Sequence, residues 1–255
     1  MRVLVIPDIH LKPWLFDRAE RIMENEKADK AVCLMDIPDD WGRELDIDLY
    51  RETYDRAIAF AKTYPDTVWC YGNHDVSYSW GKLETGYSPY AERTVIGKLE
   101  ELEDSLQSKN QISFIHRIDK VMFMHGGLTA EFVSRLNPEL VDADIDEILD
   151  VVNGLSDKYM WNDDSPLWLR PQYSELDAFR KDEYTQVVGH TPVKNIFEKN
   201  GFISTDVFST YRDGIQIGES TMIIIDTETR DYHKVEVIGK LGYKVYTAPA
   251  DNVED

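Results

Sequence analysis

The first seventy residues alternate between short apolar runs and longer segments with helical spacing. Residues 3–6, 31–34 and 68–71 are apolar runs of strand length. Residues 14–25 and 50–64 separate them, and their apolar side chains recur every three or four positions, which is typical of an amphipathic helix. This βαβαβ order predicts a parallel sheet with right-handed crossovers.

The rest of the chain predicts a mixture of elements that ends in strands. Helices are expected over residues 92–107 and 142–153, and a hairpin-like strand pair over 112–118 and 120–124. Short strands follow an irregular, tryptophan-rich stretch at 154–180; they are 186–188, 195–199, 202–205, 221–226 and 233–237. Two packed sheets covered by helices would accommodate this order. We predict one domain over residues 1–240, with an irregular insert at 154–181 and a tail at 241–255.

Composition and charge narrow the class of protein. The chain has 255 residues, 42% of them apolar, which suits a folded domain rather than a disordered chain. Its 48 acidic and 28 basic residues give a net charge of −20, which disfavours binding to long nucleic acids. No apolar run approaches the roughly 20 residues of a membrane span. Cys33 and Cys70 have neither metal nor disulfide spacing, so we predict a cytoplasmic protein.

Five segments carry metal-type ligands directly after a strand-like run. They are residues 7–10 (Pro-Asp-Ile-His), 35–39 (Met-Asp-Ile-Pro-Asp), 72–75 (Gly-Asn-His-Asp), 124–127 (Met-His-Gly-Gly) and 189–192 (Gly-His-Thr-Pro). They hold four of the six histidines. Each segment alone could be an ordinary turn. The carboxyl ends of strands meet at one edge of an α/β sheet, so together they predict one shared site.

These motifs resemble those of the calcineurin-like metallophosphoesterases. They are most similar to the phosphoprotein phosphatase branch and its bacterial and phage relatives, which include symmetrical dinucleoside-tetraphosphate hydrolases. The resemblance extends from residue 3 to about residue 237. It implies an α/β fold, a four-layer αββα sandwich of two mixed β-sheets flanked by helices.

The resemblance also implies a centre with two metal ions. Asp8 and His10 would bind the first ion, Asp36 would bridge both, and the second ion would be held by Asn73, His125 and His190. A shared carboxylate offsets the repulsion of two cations about 3.5–4 Å apart. Mixed oxygen and imidazole ligands suit manganese as first choice, with iron, zinc, nickel or cobalt as alternatives. Hydroxide bridging the metals would attack phosphorus in line.

Further roles follow from the same resemblance. His74 would be the general acid for the leaving group, and Asp39 or Asp40 would orient it, with the family spacing selecting Asp39. Arg170 is expected to bind phosphate, and Arg43 is a weaker candidate. The arginine of the family's usual Asp-Arg-Gly motif is absent at its place, and whether Arg43 substitutes for it is left open.

Two further differences from the family concern the metal loops. Pro7 and Met35 stand where the family usually has glycine. The backbone of the second segment, residues 35–39, should therefore have less conformational freedom than in the family. Val193 leaves the Gly-His-Thr-Pro motif without a further histidine, so the first ion would have three protein ligands, as in the phosphatase branch.

The predicted function is a dinuclear metal phosphatase acting on a phosphomonoester, either a phosphoprotein of the Ser/Thr type or a phosphorylated small molecule. Alternatives are a dinucleoside polyphosphate hydrolase and a phosphodiesterase of the same fold. A non-catalytic scaffold is disfavoured, because no ligand is missing. The insert is predicted to form the substrate rim. Its aromatics Trp161, Trp168 and Tyr173 could stack on a base or a phosphotyrosine or pack within the fold, and packing is favoured for at least two of them. No long nucleic acid or membrane is expected as a partner, and the oligomeric state is left open.

Overall fold

The computed structural model describes residues 1–237. The predicted tail at 241–255 and the predicted domain end at residue 240 lie outside the described residues. Within residues 1–237 the strands are β1 (Arg2–Ile6), β2 (Lys30–Cys33), β3 (Val68–Cys70), β4 (Ile112–Ser113), β5 (Ile115–Ile118), β6 (Val121–Met124), β7 (Thr185–Val188), β8 (Phe197–Lys199), β9 (Phe202–Ser204), β10 (Thr221–Asp226) and β11 (Tyr232–Glu236). The helices are α1 (Trp14–Glu26), α2 (Ile47–Thr63), α3 (Asn73–Trp80), α4 (Glu92–Ser105), α5 (Ala130–Leu136), α6 (Ile145–Asn153) and α7 (Asp157–Met160).

The strands form two mixed sheets. The first has six strands in the order β11-β10-β1-β2-β3-β4, and the second has five in the order β5-β6-β7-β9-β8. Strands β1 to β3 are parallel, as the opening pattern predicts, and β4 adds a further parallel strand, while β10 and β11 pair antiparallel to their neighbours. In the second sheet β6, β7 and β9 are parallel and the two edge strands are antiparallel.

Apolar side chains from both sheets meet in one core. Val5 and Val32 of the first sheet share it with Phe123, Val187 and Ile203 of the second, all at most 1% exposed. Helices α1, α2 and α4 bury their apolar faces in the same cluster, and α5 and α6 pack on the other face of the second sheet. The predicted αββα sandwich is confirmed.

Two details of the sequence prediction are wrong. The single strand expected over 112–118 is divided at Phe114, because residues 112–113 pair with β3 in the first sheet and residues 115–118 pair with β6 in the second. The Gly-Asn-His-Asp segment is the start of α3 rather than a loop. The Asp75 carboxylate accepts a hydrogen bond from the Gly72 N–H at 3.0 Å, which caps that helix.

Every helix in the described part of the chain is too short or too polar to cross a bilayer.

Candidate metal centre

The structure brings together all six predicted metal ligands at the carboxyl ends of the strands. Ligand atoms of Asp8, His10 and Asp36 lie within 4.8 Å of one another, and so do ligand atoms of Asp36, His125 and His190. Asp36 therefore belongs to both groups, which is the position that a bridging carboxylate requires.

The distances between ligand atoms connect the two groups through one oxygen of Asp36. Its Oδ2 lies 3.1 Å from His125 Nε2 and 3.7 Å from His10 Nε2. Asn73 Oδ1 lies 2.9 Å from the same His125 nitrogen. A carboxylate oxygen, an amide oxygen and two imidazole nitrogens thus converge on one small volume.

Two ligand atoms of the centre have no protein partner. Asp8 Oδ1 and His190 Nε2 are buried and make no hydrogen bond within the described residues. A buried polar atom without a partner typically destabilises a fold by about 1–3 kcal/mol. Burial and the charge of His125 hold the pKa of His190 well below its usual range, so the imidazole is neutral. These donors fit a borderline divalent transition metal ion.

The charges of the centre also fit a cation. Burial alone would raise the pKa of Asp36, but His125 and His74 outweigh burial and hold that pKa far below its usual range. Burial alone would lower the pKa of His125, whereas the carboxylates of Asp36 and Asp8 raise it to about 9. The buried carboxylates around His125 thus favour a positive charge at this place, which a divalent cation would also supply.

The backbone is strained at His10, Met35 and Asp36. Met35 and Asp36 have φ values of +55° and +44°, and His10 has +42°, so all three are in the left-handed region. Such residues destabilise a fold by about 1–3 kcal/mol each. The Asp75 carboxylate holds this turn by accepting from the Asp36 N–H at 2.8 Å and the Ile37 N–H at 3.1 Å. The second loop thus reaches the geometry of the site without the glycine that the family usually has.

Two glycines are required by the closeness of the ligands. A Cβ atom at Gly72 would overlap Asp36 Oδ1, and a Cβ atom at Gly189 would overlap Asp8 Oδ1. Both aspartates therefore pack directly on a glycine backbone. This explains the glycine in Gly-Asn-His-Asp and in Gly-His-Thr-Pro.

His74 and Asp39 lie beside the six ligands. His74 Nδ1 is 2.9 Å from Asp39 Oδ2. Asp39 Oδ1 accepts hydrogen bonds from the hydroxyls of Tyr50 at 2.8 Å and Tyr78 at 2.6 Å. Both oxygens of the Asp39 carboxylate are thus occupied, and only one of them faces the imidazole. Asp40, the alternative partner, pairs instead with Lys12 at 3.0 Å.

The surroundings of His74 favour its protonated form. Burial alone would lower the pKa of His74, but the carboxylates of Asp36, Glu84 and Asp39 outweigh burial and raise the pKa to about 10. The other ring nitrogen, Nε2, lies 3.7 Å from Glu84 Oε2. A proton on Nδ1 would face Asp39, and a proton on Nε2 would lie on the side of Glu84.

The two predicted phosphate-binding arginines differ in position. A cleft of about 350 Å³ opens beside the centre, and Arg170 lines it together with Trp41 and Trp168. Arg170 Nη1 donates to the His190 carbonyl at 3.2 Å. Arg43 is not among the residues that line the cleft; its side chain is 58% exposed and lies 3.9 Å from Asp46.

Of the aromatic residues of the insert, Trp168 lines the cleft and Tyr173 does not. Trp168 packs edge-on against His190, with ring centroids 5.3 Å apart, and against Trp161 at 4.9 Å. Tyr173 is 77% exposed and lies outside the cleft lining. The insert therefore contributes to the rim through Trp168 and Arg170.

Sequence reasoning missed four residues of the site. Tyr50 and Tyr78 hold Asp39, and Tyr78 lies one helical turn after His74, a spacing that could have indicated it. Glu84 and Asp206 line the cleft but belong to none of the five motifs. Asp206 is fully buried and accepts from the Ser209 hydroxyl at 2.9 Å, and its carboxylate, together with burial, raises the pKa of Asp8.

Comparisons with known proteins agree with this geometry. The family model for calcineurin-like phosphoesterases matches residues 1–216, and the chain belongs to that family. Membership of this family implies a phosphoesterase hydrolase, and the chain has candidate residues for metal binding. No curated protein matches the chain.

The solved structures to which the chain is similar are distant from it in sequence. The chain is similar to a cold-active protein-tyrosine phosphatase of the psychrophile Shewanella sp., at 16% identity and a TM-score of 0.55, with 92% of this chain and 80% of that chain covered. A second structure titled cold-active protein tyrosine phosphatase has 18% identity and a TM-score of 0.52, with 91% and 78% covered. A novel archaeal phosphodiesterase aligns at 13% identity with a TM-score of 0.39, covering 92% of this chain and 99% of that one.

Proposed function

We propose that this protein is a metal-dependent phosphatase that hydrolyses a phosphomonoester, on a phosphoprotein or on a small molecule. The observation that carries the proposal is the pair of buried atoms without a partner in residues 1–237, Asp8 Oδ1 and His190 Nε2, which belong to the two groups that share Asp36. The hydrogen-bonded pair of His74 and Asp39 lies beside them at an open cleft.

The six ligands would hold two divalent cations, with manganese as the first choice. Asp8 and His10 would hold one, Asn73, His125 and His190 the other, and Asp36 both. Bound cations would supply Lewis-acid activation of the phosphoryl group and of the water nucleophile. Arg170 would bind a phosphoryl oxygen, since its guanidinium is already held at the cleft by the His190 carbonyl.

His74 would give a proton to the leaving oxygen. Asp39 accepts from Nδ1, which fixes the ring and leaves the Nε2 proton free to be donated. The two tyrosine hydroxyls on the other oxygen of Asp39 keep that carboxylate from rotating away. General acid catalysis of this kind is typically worth about 10²–10⁴ in rate.

A screen of metals against substrates tests the class of reaction. Purified protein would be assayed with Mn, Ni, Zn and Fe on an aryl phosphate, phosphopeptides, a dinucleoside polyphosphate and a phosphodiester. We expect metal-dependent hydrolysis with the highest kcat/KM on a monoester. Higher kcat/KM on the diester or on the polyphosphate would replace the proposal by one of those activities, and no hydrolysis with any metal would contradict all three.

The His74→Asn variant tests the role of the acid. It should keep its metal content and lose far more activity on an alkyl phosphate than on an activated aryl phosphate, because only the poor leaving group needs a proton. Equal losses on both substrates would contradict the assignment.

A further inference from the structure

Glu84 lies against two residues of the candidate site although it is outside every motif. It follows α3 on the segment that leads to α4, and its side chain is 7% exposed. Its Oε2 atom accepts a hydrogen bond from Asn73 Nδ2. A buried carboxylate that contacts a predicted metal ligand is not explained by packing alone, since burying a charge is unfavourable unless the charge has a partner.

The segment around Glu84 is itself held in place. Ser88 N–H donates to the Tyr78 hydroxyl at 2.9 Å, and the Lys82 N–H donates to the Ser77 carbonyl at 2.9 Å. Gly81 and Gly86 have φ values of +62° and +96°, which allow the chain to turn back over the start of α3. The position of Glu84 is therefore fixed by bonds on both sides of it.

The contact decides which way the Asn73 amide faces. An asparagine side chain has a donor NH₂ on one side and an acceptor oxygen on the other. With Nδ2 bonded to Glu84, the oxygen Oδ1 faces His125 Nε2 at 2.9 Å and the Asp36 carboxylate beyond it. The reversed amide would direct its NH₂ group at the place of the second cation and its oxygen at the Glu84 carboxylate, and both contacts would be repulsive.

We propose that Glu84 is the positioning residue of the second cation site: by accepting from Asn73 Nδ2 it presents Asn73 Oδ1 as a ligand and sets the affinity of that site. The inference rests on the proposed two-cation centre. Loss of such an orienting partner typically weakens metal affinity about 10–100-fold.

The test measures Mn²⁺ binding directly, by isothermal titration calorimetry and by the electron paramagnetic resonance signal of a spin-coupled Mn²⁺ pair. Wild type should bind two ions per chain. Glu84→Ala should keep one tight site, weaken the other about 10–100-fold, and lose the coupled signal at Mn²⁺ concentrations that saturate wild type. Glu84→Gln keeps an acceptor oxygen and should restore most of the affinity. Leu83→Ala, in the same segment and 80% exposed, is the matched control and should bind as wild type does.

A second background separates positioning from a general structural effect. Asn73→Asp has two equivalent oxygens, so no amide orientation remains to be fixed, and Glu84 would only repel it. Adding Glu84→Ala to Asn73→Asp should therefore leave Mn²⁺ affinity unchanged or raise it, the opposite of its effect in wild type. Weakening of equal size in both backgrounds would overturn the inference.

The failures of the two proposals are distinguishable. If wild type binds fewer than two Mn²⁺ ions, the two-cation centre is wrong. If wild type binds two and Glu84→Ala binds them equally well, the centre stands and the role of Glu84 is wrong.

Discussion

The two sides of the cleft differ in how completely their polar atoms are paired. On the side of His74, both oxygens of Asp39 are hydrogen bonded, to the imidazole and to the hydroxyls of Tyr50 and Tyr78. On the side of Asp36, the buried atoms Asp8 Oδ1 and His190 Nε2 have no partner within residues 1–237. The Asp36 side is built from segments that follow strands, whereas helices α2 and α3 supply the tyrosines that hold Asp39.

This difference indicates which side needs a ligand. Asp39, bonded at both carboxylate oxygens, fixes the imidazole of His74, and we infer that this pair is preorganised, although Glu84 Oε1 beside it has no partner within residues 1–237. Unpaired buried atoms next to strained backbone are unfavourable until a bound group satisfies them, and this is the condition of the Asp36 side. Mutations on the two sides should therefore separate metal binding from proton donation.

The largest effect is expected from Asp36→Asn, which removes the negative charge shared by both groups of ligands. We expect turnover of an aryl phosphate to fall by roughly 10³-fold or more and both Mn²⁺ ions to bind more weakly. Steady-state kinetics and metal analysis of the same preparation measure the two effects. A variant with wild-type turnover would contradict the two-cation centre.

A smaller but still large effect is expected from Gly189→Ala, because the added Cβ would overlap Asp8 Oδ1 and displace that carboxylate. Mn²⁺ affinity should fall by about 10–100-fold, the range found when the support of a ligand is lost. Gly97→Ala is the matched control: its Cβ meets no atom within 4 Å, and alanine within α4 should stabilise the fold by about 0.5–1 kcal/mol. Equal Mn²⁺ affinity in the two variants would show that the close approach is unimportant.

On the other side, Tyr50→Phe tests preorganisation without touching a metal ligand. It removes one hydrogen bond to Asp39, worth about 1–2 kcal/mol, so the rate on an alkyl phosphate should fall by about 10-fold. Metal content and the rate on an activated aryl phosphate should stay close to wild type. A loss of metal in this variant would show that the two sides are not independent.

The last prediction concerns stability alone and involves His116, a paired histidine outside the cleft lining. Its Nε2 donates to the Trp69 carbonyl at 3.0 Å, and burial lowers its pKa to about 4. The unfolded chain binds this proton below about pH 6.5, so the contribution of His116 to stability is complete above that pH and is lost as the pH falls toward 4. Over that range the loss approaches about 3 kcal/mol.

Urea unfolding at pH 7 and pH 5 measures this contribution. The free energy of unfolding should decrease less between these pH values in His116→Gln than in wild type. The same decrease in both proteins would contradict the assignment of a neutral, structural His116.

Local sequence patterns predicted two packed sheets covered by helices and the convergence of five ligand-bearing segments, whereas the αββα layers and the choice of the six ligands came from the family resemblance. Apolar runs end at ligand-bearing turns, and the topology of a parallel sheet places those turns at one edge. The break at Phe114 was not predictable, since residues 112–118 have one continuous strand-like pattern that hides the crossing from one sheet to the other.

The supporting residues were missed for a different reason. Glu84 and Asp206 act through contacts that depend on how distant segments fold back, and neither lies in a motif. Arg43 shows the converse: it is near the second motif in sequence, yet the chain places it on the exposed surface beside Asp46. Proximity in sequence to a motif is therefore weaker evidence for a site residue than the end of a strand.

The most direct test of the two-cation centre is a crystal structure of the protein with Mn²⁺, with anomalous data collected at the manganese absorption edge. The ligand arrangement predicts two anomalous peaks about 3.5–4 Å apart, with Asp36 between them and Asp8 Oδ1 and His190 Nε2 each bound to an ion. A single peak, or density that leaves those two atoms unbound, would contradict it.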